Sequence, residues 1–119
     1  KEFLFLTNSS ERSPKELSQK LNLRTLVEGD SERAVEGCYC GDLLSWVMSR
    51  IKENDVWLTV MGNINSIAVC VLSECACIVL TENAPLDEDA RLKAESMSIP
   101  VFQSEKSTYD LAAEISKLL

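Results

Sequence analysis

The sequence predicts an α/β fold, a three-layer sandwich around a mainly parallel sheet, and two observations carry that prediction. First, the stretch from Asp55 to Glu82 reads as a buried strand (Val56–Met61), a turn at Gly62-Asn63, an apolar helix from about Asn65 to Glu74 and a second buried strand (Ala76–Leu80). A strand, a helix of about ten residues and another apolar strand form a right-handed βαβ unit, whose parallel strands must be covered on both faces. Second, the rest of the chain alternates short apolar runs with stripes at helical spacing. The resulting order is β-β-α-β-α-β-α-β-α after an opening helix.

Each element has its own local reason. Residues 1–12 begin without Met and pass from a Phe/Leu run into Thr7-Asn8-Ser9-Ser10, which reads as an N-terminal arm or an added expression segment; residues 13–119 read as one domain. Ser13-Pro14-Lys15-Glu16 is a capping box with proline at the first helical position, where its missing N–H costs nothing, and the helix runs on through Leu17 and Leu21. Leu23–Val27 reads as a strand closed by the turn Glu28-Gly29-Asp30, and Ala34–Cys40 as another. Gly41 and Asp42 end that strand and open the helix Leu43–Ile51, with Asp42 as its cap and Leu43, Leu44, Val47, Met48 and Ile51 inward. Further on, a polar helix over Asp87–Met97 turns Leu86, Ala90, Ala94 and Met97 inward, and Ile99–Gln103 is the next strand. Ser107 and Asp110 frame the last helix, with Leu111, Ala112, Ile115, Leu118 and Leu119 as its packing face.

Two helices carry more apolar surface than one sheet needs. Trp46 falls well outside the stripe of its helix. In the central helix, Ile64, Ile67, Ala68, Val71, Leu72 and Cys75 form the core stripe, which Val69 and Cys70 extend almost all round. A homodimer that buries Trp46, Val69 and Cys70 is therefore expected.

Composition bounds the function. The 119 residues suffice for one domain that buries roughly two thirds of its unfolded surface, with no need of disulfides. A net charge of −7 and a pI near 4.6 repel nucleic acid and anionic membranes, so neither partner is expected. No apolar run approaches the roughly 18 residues of a membrane span, and cytoplasmic residence is the default. Of the five cysteines, Cys38, Cys40, Cys70, Cys75 and Cys77, one is left over under any disulfide scheme. All fall in apolar segments and read as small core residues in a reducing compartment. Cys38-x-Cys40 and Cys75-x-Cys77 together offer four thiolates to a metal, but C-x-C in an extended segment puts both sulfurs on one strand face without the usual C-x-x-C spacing. No metal or cofactor is expected.

The absence of any histidine excludes a histidine base, a Ser-His-Asp triad and a His-ligated metal, and no phosphate-loop or dinucleotide-binding motif occurs. Cys40, just before Gly41, is the one cysteine near an activating helix N-terminus, and ordinary burial outweighs that reading. The chain reads as non-catalytic.

From about Pro14 to Leu119 the chain resembles a stand-alone DRTGG domain, a module also found joined to CBS pairs and in phosphotransacetylases and similar to the N-terminal domain of HPr kinase/phosphorylase. The residues that carry the resemblance are Arg24-Thr25-Leu26-Val27-Glu28-Gly29-Asp30, the block Gly41-Asp42-Leu43-Leu44-Ser45-Trp46-Val47-Met48, Asp55-Val56-Trp57-Leu58-Thr59, Asn65 with Ala68-Val69, and Ile99-Pro100-Val101. The Gly41–Met48 block is the most specific. The family's eponymous motif is absent: Gly62-Asn63-Ile64-Asn65 follows the central strand, and Glu82-Asn83 stands where a Gly-Gly often follows the next one. No anion or metal role is carried over from those positions. The resemblance implies an α/β regulatory module.

In an open parallel sheet, ligands sit beyond the carboxyl ends of the strands, where helix N-termini present free N–H groups. That edge is expected to gather Gly41, Asp42, Gly62, Asn63, Asn65, Thr81 and Glu82. Asn63 and Asn65 offer donors and acceptors to a polar ligand and equally suit turn and capping positions. The expected function is a homodimeric regulatory or protein-interaction module. The alternative is a domain that senses a nucleotide or other small metabolite at the sheet edge; a third class, an enzyme or cysteine-ligated metal carrier, ranks behind both.

Overall fold

The computed structural model describes residues 12–119. Apart from Arg12, the expected N-terminal arm lies outside the described residues. In chain order the elements are α1 (Pro14–Lys20), β1 (Arg24–Val27), β2 (Gly37–Cys40), α2 (Leu44–Arg50), β3 (Asp55–Thr59), α3 (Ile64–Ser73), β4 (Cys77–Leu80), α4 (Glu88–Ser96), β5 (Val101–Gln103) and α5 (Thr108–Leu118). Three helices start where a side chain accepts an otherwise orphaned N–H. Ser13 Oγ accepts from Glu16 N at 3.2 Å, Asn63 Oδ1 from Ser66 N at 3.0 Å, and Ser107 Oγ from Asp110 N at 3.1 Å.

The strands form one sheet in the order β1-β5-β4-β3-β2. From β2 to β5 all pairings are parallel, and β1 runs antiparallel on β5, with Thr25 opposite Phe102. Every residue of β3 and β4 is buried. The two-residue alternation of the strands divides the core in two. Val56, Leu58, Cys77, Val79 and Phe102 meet Leu17 of α1 and Leu111 and Ile115 of α5. Trp57, Ile78, Leu80 and Val101 meet Val47 of α2, Ile67 and Cys70 of α3, and Ala90 and Ala94 of α4. The result is the expected three-layer sandwich. Burying each large side chain contributes about 1.5–3 kcal/mol, which makes these two clusters the main stabilising term.

The turn after β1 needs its glycine. Gly29 sits at φ +56°, and a Cβ there would meet Pro100 N at 2.5 Å, a backbone atom that has nowhere to retreat.

Several expected packing faces are corrected. In α2 only Val47 and Ile51 are fully inward, while Leu43 and Met48 are exposed. The helix begins one residue late, with extended Leu43 as its uncapped first position, so two short turns present a single i, i+4 pair to the sheet. In α3 the inward face is Ser66, Ile67, Val69 and Cys70, which removes Val69 and Cys70 from any interface between protomers. Ala68 and Leu72, assigned inward, are exposed together with Ile64; these three form an outward stripe at i, i+4 and i+8. A helix apolar on two sides leaves its facing undecided until neighbours are in place, and here α2 and α4 flank it. Met97 and Leu119 are also exposed, each just beyond the last helical residue.

The cysteines divide into three groups. Cys70 and Cys75 are joined in a disulfide, which overturns their reading as reduced thiols and removes Cys75 from a four-thiolate set. Cys77 is a buried thiol. Cys38 and Cys40 are exposed, against the expectation of core residues, because β2 is the outer strand of the sheet. Among the described residues, no helix is long and apolar enough to cross a membrane.

Candidate functional site at the carboxyl edge of the sheet

Four parallel strands bring their carboxyl ends to one edge, and antiparallel β1 brings its first residue, Arg24, to the same edge. The residues expected there do arrive, but most are committed to the protein itself. Asp42 does not cap α2. Its Oδ1 accepts from Thr59 Oγ1 at 2.7 Å and from Val60 N at 2.9 Å, tying the β2–α2 turn to the end of β3. Thr59 is fully buried, and its hydroxyl oxygen also accepts from Met61 N at 3.2 Å. Gly41 is fixed next to these bonds, its carbonyl accepting from Trp57 Nε1 at 2.9 Å.

The second turn is built from Gly62 and Asn63. Asn63 caps α3, and Ser66 Oγ reaches back to donate to Met61 O at 2.7 Å. Gly62 is required by close approach: a Cβ would lie 2.0 Å from Pro85 O, and Gly62 O accepts from Asp87 N at 2.8 Å. The β3–α3 and β4–α4 loops are thereby held in direct contact. Asn65 stands exposed in the first turn of α3.

Beyond β4, Thr81 is fully buried and shares a 2.7 Å hydrogen bond with Thr108 Oγ1 at the start of α5. Glu82 and Asn83 both adopt left-handed backbone conformations, φ 59° and 58°. Their N–H groups donate to Lys106 O at 2.9 Å and Ser104 O at 2.8 Å, stitching the β4–α4 loop to the β5–α5 loop. Two consecutive non-glycine residues at positive φ cost about 1 kcal/mol or more each, and these paired hydrogen bonds offset that cost.

A concave part of this edge lies to one side of the expected residues. A cleft of about 390 Å³ is lined by Asn22, Arg24, Asn83, Gln103, Ser104 and Lys106 among others, and by none of the seven expected ligand residues. Gln103 organises it, donating through Nε2 to Ala84 O at 2.8 Å and accepting at Oε1 from Arg24 Nη1 at 3.5 Å. Lys106 Nζ pairs with Glu114. The cleft thus offers the Arg24 guanidinium, the Glu105 carboxylate, the Lys106 ammonium paired with Glu114, amide donors and acceptors, and a hydroxyl, a set suited to a polar small molecule. Gln103 was within reach of the sequence as the last residue of β5. Arg24 was not, because its place depends on β1 running antiparallel. Among the described residues, no group of three or more histidine, cysteine or acidic side chains is placed to hold a metal ion.

Comparison with known proteins gives a family match and several structural matches. The family model described as DRTGG domain matches residues 16–118. The fold is similar to the crystal structure of the CBS and DRTGG domains of the regulatory region of Clostridium perfringens pyrophosphatase, complexed with its activator diadenosine tetraphosphate. That match has a TM-score of 0.71 and 11% identity, over 95% of this chain and 49% of the other, so the chain spans about half of that regulatory region. No curated protein sequence matches.

Proposed function

The chain belongs to the DRTGG domain family, and on that premise we propose that it is a non-catalytic regulatory module that works as a homodimer through the outer face of its three-helix layer. The observation that carries this reading is the apolar stripe Ile64, Ala68 and Leu72 along α3, with Leu72 70% exposed. Leu43 and Trp46 on neighbouring α2 extend it, at 62% and 57% exposed. Arg50 stacks over the Trp46 ring at 4.0 Å to the centroid. Exposed aromatic and aliphatic side chains concentrated on one layer are the composition of an interface core. A second copy that presents the same stripe satisfies the self-complementarity of a two-fold contact.

Native mass spectrometry or sedimentation tests this directly. The expected result is a mass of two chains, reduced to one by Leu72→Asp with the far-UV circular dichroism unchanged. A wild-type mass of one chain at micromolar concentration sinks the proposal.

The cleft at Arg24 supports a second reading, a sensor of a small anionic ligand. The matched pyrophosphatase region binds a nucleotide activator, and a nucleotide polyphosphate is the natural first probe for this chain. A rise in melting temperature with diadenosine tetraphosphate that disappears in Arg24→Ala supports sensing at this cleft. A rise that survives Arg24→Ala places the ligand elsewhere.

A further inference from the structure

A second concavity adjoins the cleft, between the outer strand β1 and the polar helix α4, which pack together. This groove measures about 240 Å³ and is lined by Arg24, Leu26, Pro85, Leu86, Arg91 and Gln103. Arg24 and Gln103 also line the cleft and lie opposite each other in the β1–β5 ladder, so the two spaces meet at that pair. Their chemistry differs. The cleft holds Glu105, Asn22 and Asn83, whereas the groove has an apolar wall: Leu26 and Leu86, half-buried against the three-helix side of the core, with Pro85 exposed beside them. Among the described residues, no carboxylate lines the groove. Its two guanidiniums are not equivalent. Arg91 is committed within its own helix, where Nε and Nη2 donate to Glu88 and Nη1 donates to Glu95 at 2.6 Å. A guanidinium engaged by two carboxylates has its charge neutralised, and what it still offers a ligand is a planar face for a ring. Arg24 has one acceptor among the described residues, the neutral Gln103 Oε1 at 3.5 Å. Its remaining donors are the ones an anion can take.

We infer that the groove is the anion end of a two-part site and takes an aromatic anion, with its phosphate or carboxylate on Arg24 and its ring against the Leu26–Leu86 wall and Arg91. The inference rests on the sensing reading of the cleft and adds where the charge goes and what must accompany it. An anion deep in the cleft would be repelled by Glu105, so the acidic group stays at the junction and neutral polar groups extend toward Asn22, Asn83 and Ser104. Gln103 defines that junction. Its Nε2 donates to Ala84 O at 2.8 Å, which leaves Oε1 to meet Arg24. An acceptor so distant yields readily to a charged oxygen, and binding then breaks no ion pair of Arg24. The apolar wall decides for a ring over a bare ion, since an inorganic anion would leave Leu26, Pro85 and Leu86 in water.

The test is amide NMR titration of the full chain with two probe pairs, phenyl phosphate against inorganic phosphate and benzoate against acetate. The ring is expected to improve affinity about tenfold or more in at least one pair, and the pair that gains identifies the acidic group. Arg24→Ala is expected to weaken the ring-bearing probe about tenfold or more. Leu86→Ala should remove the gain from the ring and leave inorganic phosphate and acetate unchanged. Leu86 also touches the core, so Pro85→Ala, at an exposed position that keeps the carbonyl facing Gly62, is a second variant expected to reduce the same gain with the circular dichroism unchanged. Equal affinity with and without the ring in both pairs, or a ring-bearing probe that binds Arg24→Ala as strongly as wild type, overturns the inference. If a polyphosphate still raises the melting temperature through Arg24 while the ring gives no gain, the sensing reading stands and this inference alone falls. No binding by any of these anions removes both.

Discussion

The two faces of the sheet are packed with comparable residues, yet the layers that cover them have different outer surfaces. On one side α2, α3 and α4 cover Trp57, Ile78, Leu80 and Val101, and apolar residues remain on the outside of that layer: Trp46, Ile64, Leu72 and Leu92. On the other side α1 and α5 cover Val56, Leu58, Val79 and Phe102, and their outer faces carry Lys15, Gln19, Glu114 and Lys117, with Tyr109 as the large exposed aromatic. The core requirement is the same on both faces. What lies outside it is surplus to folding, and an apolar surplus on one layer points to contact with other molecules where a polar one points to water.

The comparison breaks first if the two clusters do not form one cooperative core. Trp57→Ala empties the three-helix side and Phe102→Ala the two-helix side, and each is expected to cost about 3–5 kcal/mol. Urea unfolding should stay a single transition in both variants; a biphasic curve for one of them would show that its layer melts alone. Next in size is Asp42→Ala, expected to cost about 1–3 kcal/mol because it leaves the buried Thr59 hydroxyl and the Val60 N–H without their acceptor. The same denaturation series measures it, and a cost near zero would show that water replaces the carboxylate.

At the outer strand, alkylation of Cys40 should follow a titration near pH 7. Removing the Cys38 donor raises the Cys40 thiol toward its ordinary range, so Cys38→Ala should lower the iodoacetamide rate at neutral pH roughly tenfold and leave it unchanged at high pH, where Cys40 is a thiolate in both proteins. An unchanged profile would mean that the hydrogen bond does not hold the pair. The smallest effects should come from the helix caps. Asn63→Ala on the three-helix layer and Ser107→Ala on the two-helix layer are each expected to lose about 1 kcal/mol, read as matched falls in melting temperature.

Local signals gave the architecture. Ser13-Pro14 opened α1, Asn63 and Ser107 sat at cap positions, and the continuous apolar runs of β3 and β4 marked the buried centre of a parallel sheet. What stayed hidden depended on partners distant in the chain. Asp42 is a fit cap residue by composition, but Thr59 and Val60 claim its carboxylate. Cys38 and Cys40 share the apolar surroundings of Cys77, and only the strand order, which puts β2 outermost and β4 inside, separates exposed from buried. The facing of α3 had the same cause, since its apolar residues could serve either side until α2 and α4 took their places. The cleft escaped notice because Arg24 reaches the carboxyl edge only through the antiparallel direction of β1.

The contact between Gly62 and Pro85 joins two loops that lead to different parts of the surface. One leads through Asn63 into α3 and its outward stripe; the other carries Asn83 into the cleft. With Pro85 O against the Gly62 backbone and Asp87 N bonded to Gly62 O, the loop that lines the cleft and the loop that opens the helix bearing Leu72 are fixed to each other at a single point.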